Sequence, residues 1–203
     1  MSTSTLPNGV GTSDALVPHP LWRISIERYH RMIQTGVLTA DDQVELLEGL
    51  LVAKMNKSPR HCATGRLVRL ALEAVIPTGW FVDTQDPITL SDSEPEPDVS
   101  VTNVNRIELL DRHPGPDQIA MVVEISDTSL ARDRDTKRRI YALAGIPVYW
   151  IVNLVDACVE VSWSPDDQAG YVRRDQYRQG DAVPVILDGH EVARIAVADL
   201  LPG

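Results

Sequence analysis

The apolar and polar positions change period several times along the chain, and each change predicts an element. In "SIERYHRMIQTG", Ser25 suits a helix N-cap, Ile26, Tyr29 and Ile33 share one helical stripe, and Gly36 can take the left-handed conformation that closes a helix. In "QVELLEGLLVAKM", the apolar runs on either side of Glu48 and Gly49 predict a hairpin, with Glu45 in its first strand. Beyond Pro59, Leu67, Leu70, Ala71, Ala74 and Val75 recur at helical spacing as far as Ile76, and "PTG" ends the run. Four extended pieces follow, "WFVDT", "PITL", "DVSVTN" and "IAMVVEIS", with the acidic, proline-broken "SDSEPEP" between the second and third. "RDRDTKRRIYALAG" predicts a second long helix stopped by Gly145, and "PVYWIV" a buried strand after it, so that strand, helix and strand form a crossover unit. "ACVEVSW", "GYVRRDQY", "AVPVIL" and "HEVARIAV" predict short strands joined by turns. The whole predicts an α/β fold, a central sheet with helices packed on it. Residues 1–18 are rich in Ser, Thr, Gly and Pro without periodicity and are expected to form a flexible tail, with residues 19–203 as one domain.

Composition narrows the function classes. With 203 residues, 43% of them hydrophobic, the chain can bury a full core. A formal charge of −10 repels nucleic acid on average, so such a partner has to be met by a local basic patch or through metal ions. The N-terminus carries no apolar stretch of signal-peptide length, and no run approaches the roughly 18 apolar residues of a membrane span. A soluble, cytoplasmic protein is expected. Cys62 and Cys158 lack C-x-x-C spacing and read as buried thiols, not as a zinc site or a disulfide.

The candidate chemistry begins with a charge inside an apolar run. In "AMVVEIS", strand alternation puts Val122, Glu124 and Ser126 on one side and Val123 and Ile125 on the other. An ionised carboxylate held there costs several kcal/mol unless a positive group compensates. One candidate is a divalent cation shared with Asp98, which heads the neighbouring apolar segment. The other is Lys137, at the start of the stripe Lys137, Ile140, Tyr141 and Ala144, which turns it toward the sheet. Arg132, Arg134, Arg138 and Arg139 surround it. Two carboxylates and a lysine at the end of a sheet suit metal-assisted phosphodiester hydrolysis with Mg²⁺ or Mn²⁺, the arginine-rich edge, Arg134 and Arg138 in particular, receiving phosphates.

Plainer roles compete with each of these. Asp98 can simply start a strand after a turn, Glu124 can form a structural ion pair, and Asp133 and Lys137 can be a surface i, i+4 pair. His61 reads first as a helix-start residue, since no second histidine or cysteine completes a ligand set near it, and Glu45 is equally open. Neither a Gly-x-Ser-x-Gly elbow, a Walker loop nor a dinucleotide fingerprint occurs.

The blocks "PEPDVSV", "MVVEIS", "DRDTK" and "YALAGIPVYWIVN", with "VELLEG" ahead of them, resemble the Uma-two family of restriction endonuclease-like proteins within the PD-(D/E)XK nuclease-like superfamily. The resemblance runs from about Val44 to about Asn153. It implies a restriction-endonuclease-like core, a mixed central sheet flanked by helices, to which the segments after Asn153 add extra C-terminal strands, and it implies Asp98 and Glu124 as metal ligands. It also implies supporting roles for Glu45 and His61. One departure stands out: the superfamily lysine, two residues after the acid, is Ser126 here, and the resemblance implies that Lys137 substitutes from the following helix. DNA is the implied substrate, and a homodimer would supply the two sites that cutting both strands requires. Two alternatives are a nuclease-fold binding or regulatory module without efficient chemistry and a hydrolase of another phosphate ester.

Overall fold

The computed structural model describes residues 20–202 except residues 167 and 169, so the tail expected over residues 1–18 lies outside the described residues. Helix α1 (Ile26–Gln34) begins where Ser25 Oγ accepts the Arg28 N–H at 3.4 Å, and Gly36, at φ +72°, follows its end. The hairpin forms as β1 (Val44–Leu47) and β2 (Leu50–Ala53), with Leu47 opposite Leu50. Glu48 and Gly49 turn it at φ +48° and +73°, the two positive values a tight hairpin turn requires. A side chain at Gly49 would put its Cβ 2.7 Å from that of Arg23, so this position excludes larger residues twice over.

Helix α2 (Pro59–Glu73) starts on Ser58, whose Oγ accepts the His61 N–H at 3.1 Å. Its buried line runs through Thr64, Val68 and Leu72, whereas the expected line included Leu70, which is exposed. Both lines have helical spacing, and contact with the sheet selects between them. Strand β3 (Phe81–Asp83) forms within "WFVDT", but "PITL" does not become a strand. Ile88 and Leu90 are buried there, yet their N–H groups go to Pro95 O and Ser93 O of the adjoining acidic loop. That loop is itself largely buried and is tied to β1 by the Glu94 N–H on Leu46 O at 2.7 Å.

Strands β4 (Val99–Thr102) and β5 (Ile119–Ser126) pair antiparallel, and a bulge at Ala120 shifts the register between Val101 and Thr102. From Met121 to Ser126 the alternation is regular, which keeps Glu124 and Ser126 on one face. β5 runs parallel to β6 (Val148–Asn153), a pairing that needs a crossover connection. The crossover consists of a short α3 (Leu130–Arg132), a π-helical turn at Asp133–Lys137, and α4 (Arg138–Leu143). The second long helix is therefore not uniformly α. The Tyr149 hydroxyl donates to Asp133 O at 3.2 Å, and the Arg138 N–H reaches the same carbonyl five residues back, so an inserted side chain accompanies the widened turn.

β7 (Cys158–Asp166) and β8 (Gly170–Arg178) complete a six-stranded sheet in the order β3-β4-β5-β6-β7-β8, antiparallel everywhere except between β5 and β6. A second hairpin, β9 (Ala182–Leu187) with β10 (His190–Ala196), follows, and the last expected strand ends at Ala196 because α5 (Val197–Leu200) begins there. On one face, α2, the second hairpin and α5 cover Val123, Ile125, Trp150 and Val152. On the other, α4 and the first hairpin cover Val122, Tyr149 and Ile151. Burying each such side chain contributes roughly 1.5–3 kcal/mol, so the two faces of the sheet carry the described hydrophobic core. Cys158 is buried as expected; Cys62 is exposed, because the first turn of α2 presents it away from the sheet. Among the described residues no helix is long and apolar enough to cross a membrane.

Candidate active site

Val99 pairs with Val123, and continuing that register by one step sets Asp98 across from Glu124 at the end of β4 and β5. Here the Asp98 carboxylate, not a main-chain carbonyl, takes the Ile125 N–H, on Oδ2 at 2.9 Å. Its Oδ1 accepts His61 Nε2 at 2.9 Å and lies 3.0 Å from Lys57 Nζ. Burial alone raises the Asp98 carboxyl, but the bonds and charges of His61, Lys57 and Ile125 outweigh it and hold the group below its ordinary value.

Glu124 is placed by a second, buried network. Its Oε1 accepts Lys137 Nζ at 2.8 Å and the Tyr141 hydroxyl at 2.7 Å, and Lys137 Nζ is also 3.4 Å from Glu45 Oε2. Burial, reinforced by the charges of Asp98 and Asp133, outweighs Lys137 and pushes the Glu124 carboxyl up. Burial works the other way on Lys137, but Glu124, Glu45 and Asp133 together raise it, so its ammonium keeps its proton. Tyr141 is pushed well above its ordinary value by burial and by Glu124, and its hydroxyl acts as a donor.

The π-helical turn explains the departure at Ser126. Asp133 Oδ2 accepts the hydroxyls of Ser126 at 2.6 Å and Ser129 at 2.5 Å. The side chain in the superfamily's lysine position is thus committed to the crossover through Asp133, while Lys137, one helical turn further on, delivers an ammonium to Glu124. The surface-pair role for Asp133 and Lys137 does not hold: both are buried, each bonded to groups on the sheet. The structural ion pair weighed for Glu124 is present, and it is part of the same cluster.

Asp98, Glu124, Lys137, Glu45 and His61 all line one cleft of about 120 Å³. Two expected phosphate contacts do not. Arg134 is held by Glu160, at 2.5 and 3.1 Å, and by Asp156 at 3.1 Å, all close to the end of β6. Arg138 lies 4.0 Å from Asp135 and is likewise absent from the cleft wall. The helical turn rotates these two away while Arg132 faces in. Arg132 donates to Ala53 O at 3.3 Å and approaches Glu45 at 4.0 Å, and its buried Nε has no hydrogen-bond partner among the described residues. Lys57 also lines the cleft and was not singled out from the sequence, because it lies in a loop without periodicity. A second cleft of about 280 Å³ shares His61, Asp98 and Ile125 with the first and carries Arg66 and Arg69 on its wall.

The donors present are hard oxygens. Among the described residues no three His, Cys, Asp or Glu side chains gather into a closed ligand set. Two carboxylates alone match an ion that keeps several waters and completes its shell with substrate phosphate, as Mg²⁺ does, and do not match a structural zinc.

No curated protein matches the chain. Among solved structures it is similar to one described as a "putative nuclease belonging to DUF820" from Anabaena variabilis, at 16% identity and a TM-score of 0.65, covering 87% of this chain and 97% of that one. At that identity the likeness shows the fold, which is the restriction-endonuclease-like arrangement of a mixed sheet between helices. The family model that matches residues 26–197 is Uma2, described as "Putative restriction endonuclease", and the chain belongs to that family.

Proposed function

We propose that the chain is a divalent-cation-dependent endonuclease that hydrolyses DNA phosphodiester bonds. The observation that carries this reading is the pairing of Asp98 and Glu124 at one sheet end, inside a cleft whose other walls hold Lys57, His61, Arg132 and Lys137. Asp98 and Glu124 would hold Mg²⁺ or Mn²⁺, the Oε2 atom of Glu124 being the one that carries neither the lysine nor the tyrosine bond. The ion would supply Lewis acidity toward the phosphate and lower the pKa of a water.

The chain's own residues supply positioning and charge. Lys137, enclosed and protonated, offsets Glu124 and Glu45 and so lets two acids stand beside a third, Asp98, without repelling the site apart. Because it keeps its proton, it assists attack by charge and not as a base. Arg132 on the cleft wall and Arg66 on the wall of the adjoining cleft place positive charge where a phosphate backbone would run, local charge of the kind that a chain of net charge −10 needs to meet nucleic acid. His61 fixes the Asp98 carboxylate through its Nε2 donor. In the reaction one water oxygen bonds to phosphorus as the bond to one sugar oxygen breaks. One proton of that water ends on the released hydroxyl and the other leaves with the phosphate monoester or solvent.

A non-catalytic module of the same fold is the second reading, favoured by the commitment of Ser126 to Asp133. Plasmid cleavage separates them. The purified chain should cut with Mg²⁺ or Mn²⁺, stop with EDTA, and lose more than about a hundredfold in rate as Asp98→Ala or Glu124→Ala. Equal cutting by both variants would assign the activity to a contaminant, and a folded, inert parent chain would favour the module. A panel of nucleotides and phosphate monoesters run beside the DNA distinguishes a hydrolase of smaller esters. A homodimer is proposed only as the form that would cut both strands, and sedimentation of the cleavage-competent protein checks it.

A further inference from the structure

Three nitrogen-bearing side chains approach the two carboxylates, and they differ in how firmly they are held. Lys137 is 5% exposed by side chain and sits between Glu124 at 2.8 Å and Glu45 at 3.4 Å, so it cannot leave without stranding both acids. His61 is 12% exposed and fixed on α2, where the Ser58 cap holds the start of the helix. Lys57 is different. Its side chain is 34% exposed, it stands in the loop between β2 and α2, and its Nζ lies 3.0 Å from Asp98 Oδ1, the oxygen that His61 also serves. The other Asp98 oxygen is engaged by the Ile125 N–H. A divalent cation that takes Asp98 Oδ1 as a ligand would therefore compete with the Lys57 ammonium, because two positive groups on the same carboxylate oxygen repel each other at a few ångströms.

We propose that Lys57 is a resident counter-cation of this site: its ammonium neutralises Asp98 until a divalent ion arrives, then yields the carboxylate and turns to the substrate phosphate. This role rests on the reading of Asp98 and Glu124 as a cation site. It accounts for two observations together. A buried carboxylate beside other acids needs a positive partner in the ion-free chain, and Lys57 is the partner with a flexible stem and open solvent to move into. The loop also carries Lys54, but that ammonium is held by Glu96 at 2.5 Å, which leaves Lys57 to act at Asp98.

The test is calorimetric titration of Mn²⁺ into the full chain without DNA, comparing the parent with Lys57→Gln, Lys57→Met and Lys57→Arg. Removing the competing charge should tighten Mn²⁺ binding by on the order of tenfold in the Gln and Met variants, while Arg retains the parent affinity. With DNA at saturating Mn²⁺, the Gln and Met variants should show a KM raised several-fold with a smaller change in kcat, and Arg should restore it. Using two neutral replacements, each checked by thermal melt, guards against a folding defect in one. If the parent binds Mn²⁺ through Asp98 and the neutral variants bind it no more tightly, the counter-cation role is overturned and the nuclease reading stands. If the parent itself takes up no Mn²⁺, both fall together.

Discussion

On one face of the central sheet Val123, Ile125, Trp150 and Val152 pack with Val68 and Leu72 of α2 and Val183 and Val185 of β9 in a cluster without buried charges. On the other face Val122, Tyr149 and Ile151 share their space with Glu124, Ser126, Asp133 and Lys137. The same two strands, β5 and β6, supply both faces, so the difference lies in what period-2 alternation sends each way. The apolar face can be built from burial alone. The polar face is tolerable because each of its charged groups finds a partner on the next element, and these groups form one wall of the cleft at the end of the sheet. The candidate site draws on both sides, since His61 of α2 and Ile125 line the cleft beside Glu124 and Lys137.

The largest expected consequence is on the apolar side. Leu72→Ala should cost about 3–5 kcal/mol in urea unfolding, while cleavage per folded molecule stays at the parent level. A variant that loses activity in proportion beyond its unfolded fraction would show that the two faces are coupled. On the polar side, Lys137→Met should cost about 2–3 kcal/mol, less than a fully charged buried acid would impose, because Glu124 is already pushed toward its protonated form. Adding Glu124→Gln should recover part of that loss, and a double variant as unstable as the sum of the two singles would break the picture of one shared network.

The smallest effect is a contrast in pH dependence between the two acids. The folded Asp98 carboxyl titrates below its unfolded value, so the unfolded chain holds more protons between the two. Its contribution is complete above the unfolded value and is lost as pH falls through the folded one. For Glu124 the folded value lies above the unfolded one, so the folded chain holds the extra proton and stability declines as pH rises from the unfolded toward the folded value. Urea midpoints measured against pH should therefore lose part of their acid limb in Asp98→Asn and part of their alkaline decline in Glu124→Gln. Unchanged limbs in both would contradict the separate environments assigned to the two carboxylates.

How far the sequence revealed this arrangement depends on the range of the forces involved. The α1 caps at Ser25 and Gly36, the Glu48–Gly49 turn and the alternation in β5 are set by neighbours a few residues away, and they were legible. "PITL" has strand-like composition, but its bonding partners belong to the acidic loop, and only the tertiary fold decides that. The α2 stripe was ambiguous because apolar residues occupy more than one line of the helix, and the sheet chose Val68 and Leu72. The widened turn at Asp133–Lys137 coincides with a hydroxyl on β6, Tyr149, which no local pattern announces. At the site, an acid inside an apolar strand was a strong signal, whereas Lys57 and Arg132 lie where charge is ordinary and became visible only through what they face.

The most direct measurement is an anomalous difference map from crystals of the chain soaked in Mn²⁺. The account expects a peak at direct-ligand distance, roughly 2 Å, from one oxygen each of Asp98 and Glu124, with Lys57 displaced from Asp98. A peak elsewhere, or none while Lys57 still sits on Asp98 at saturating Mn²⁺, would contradict it.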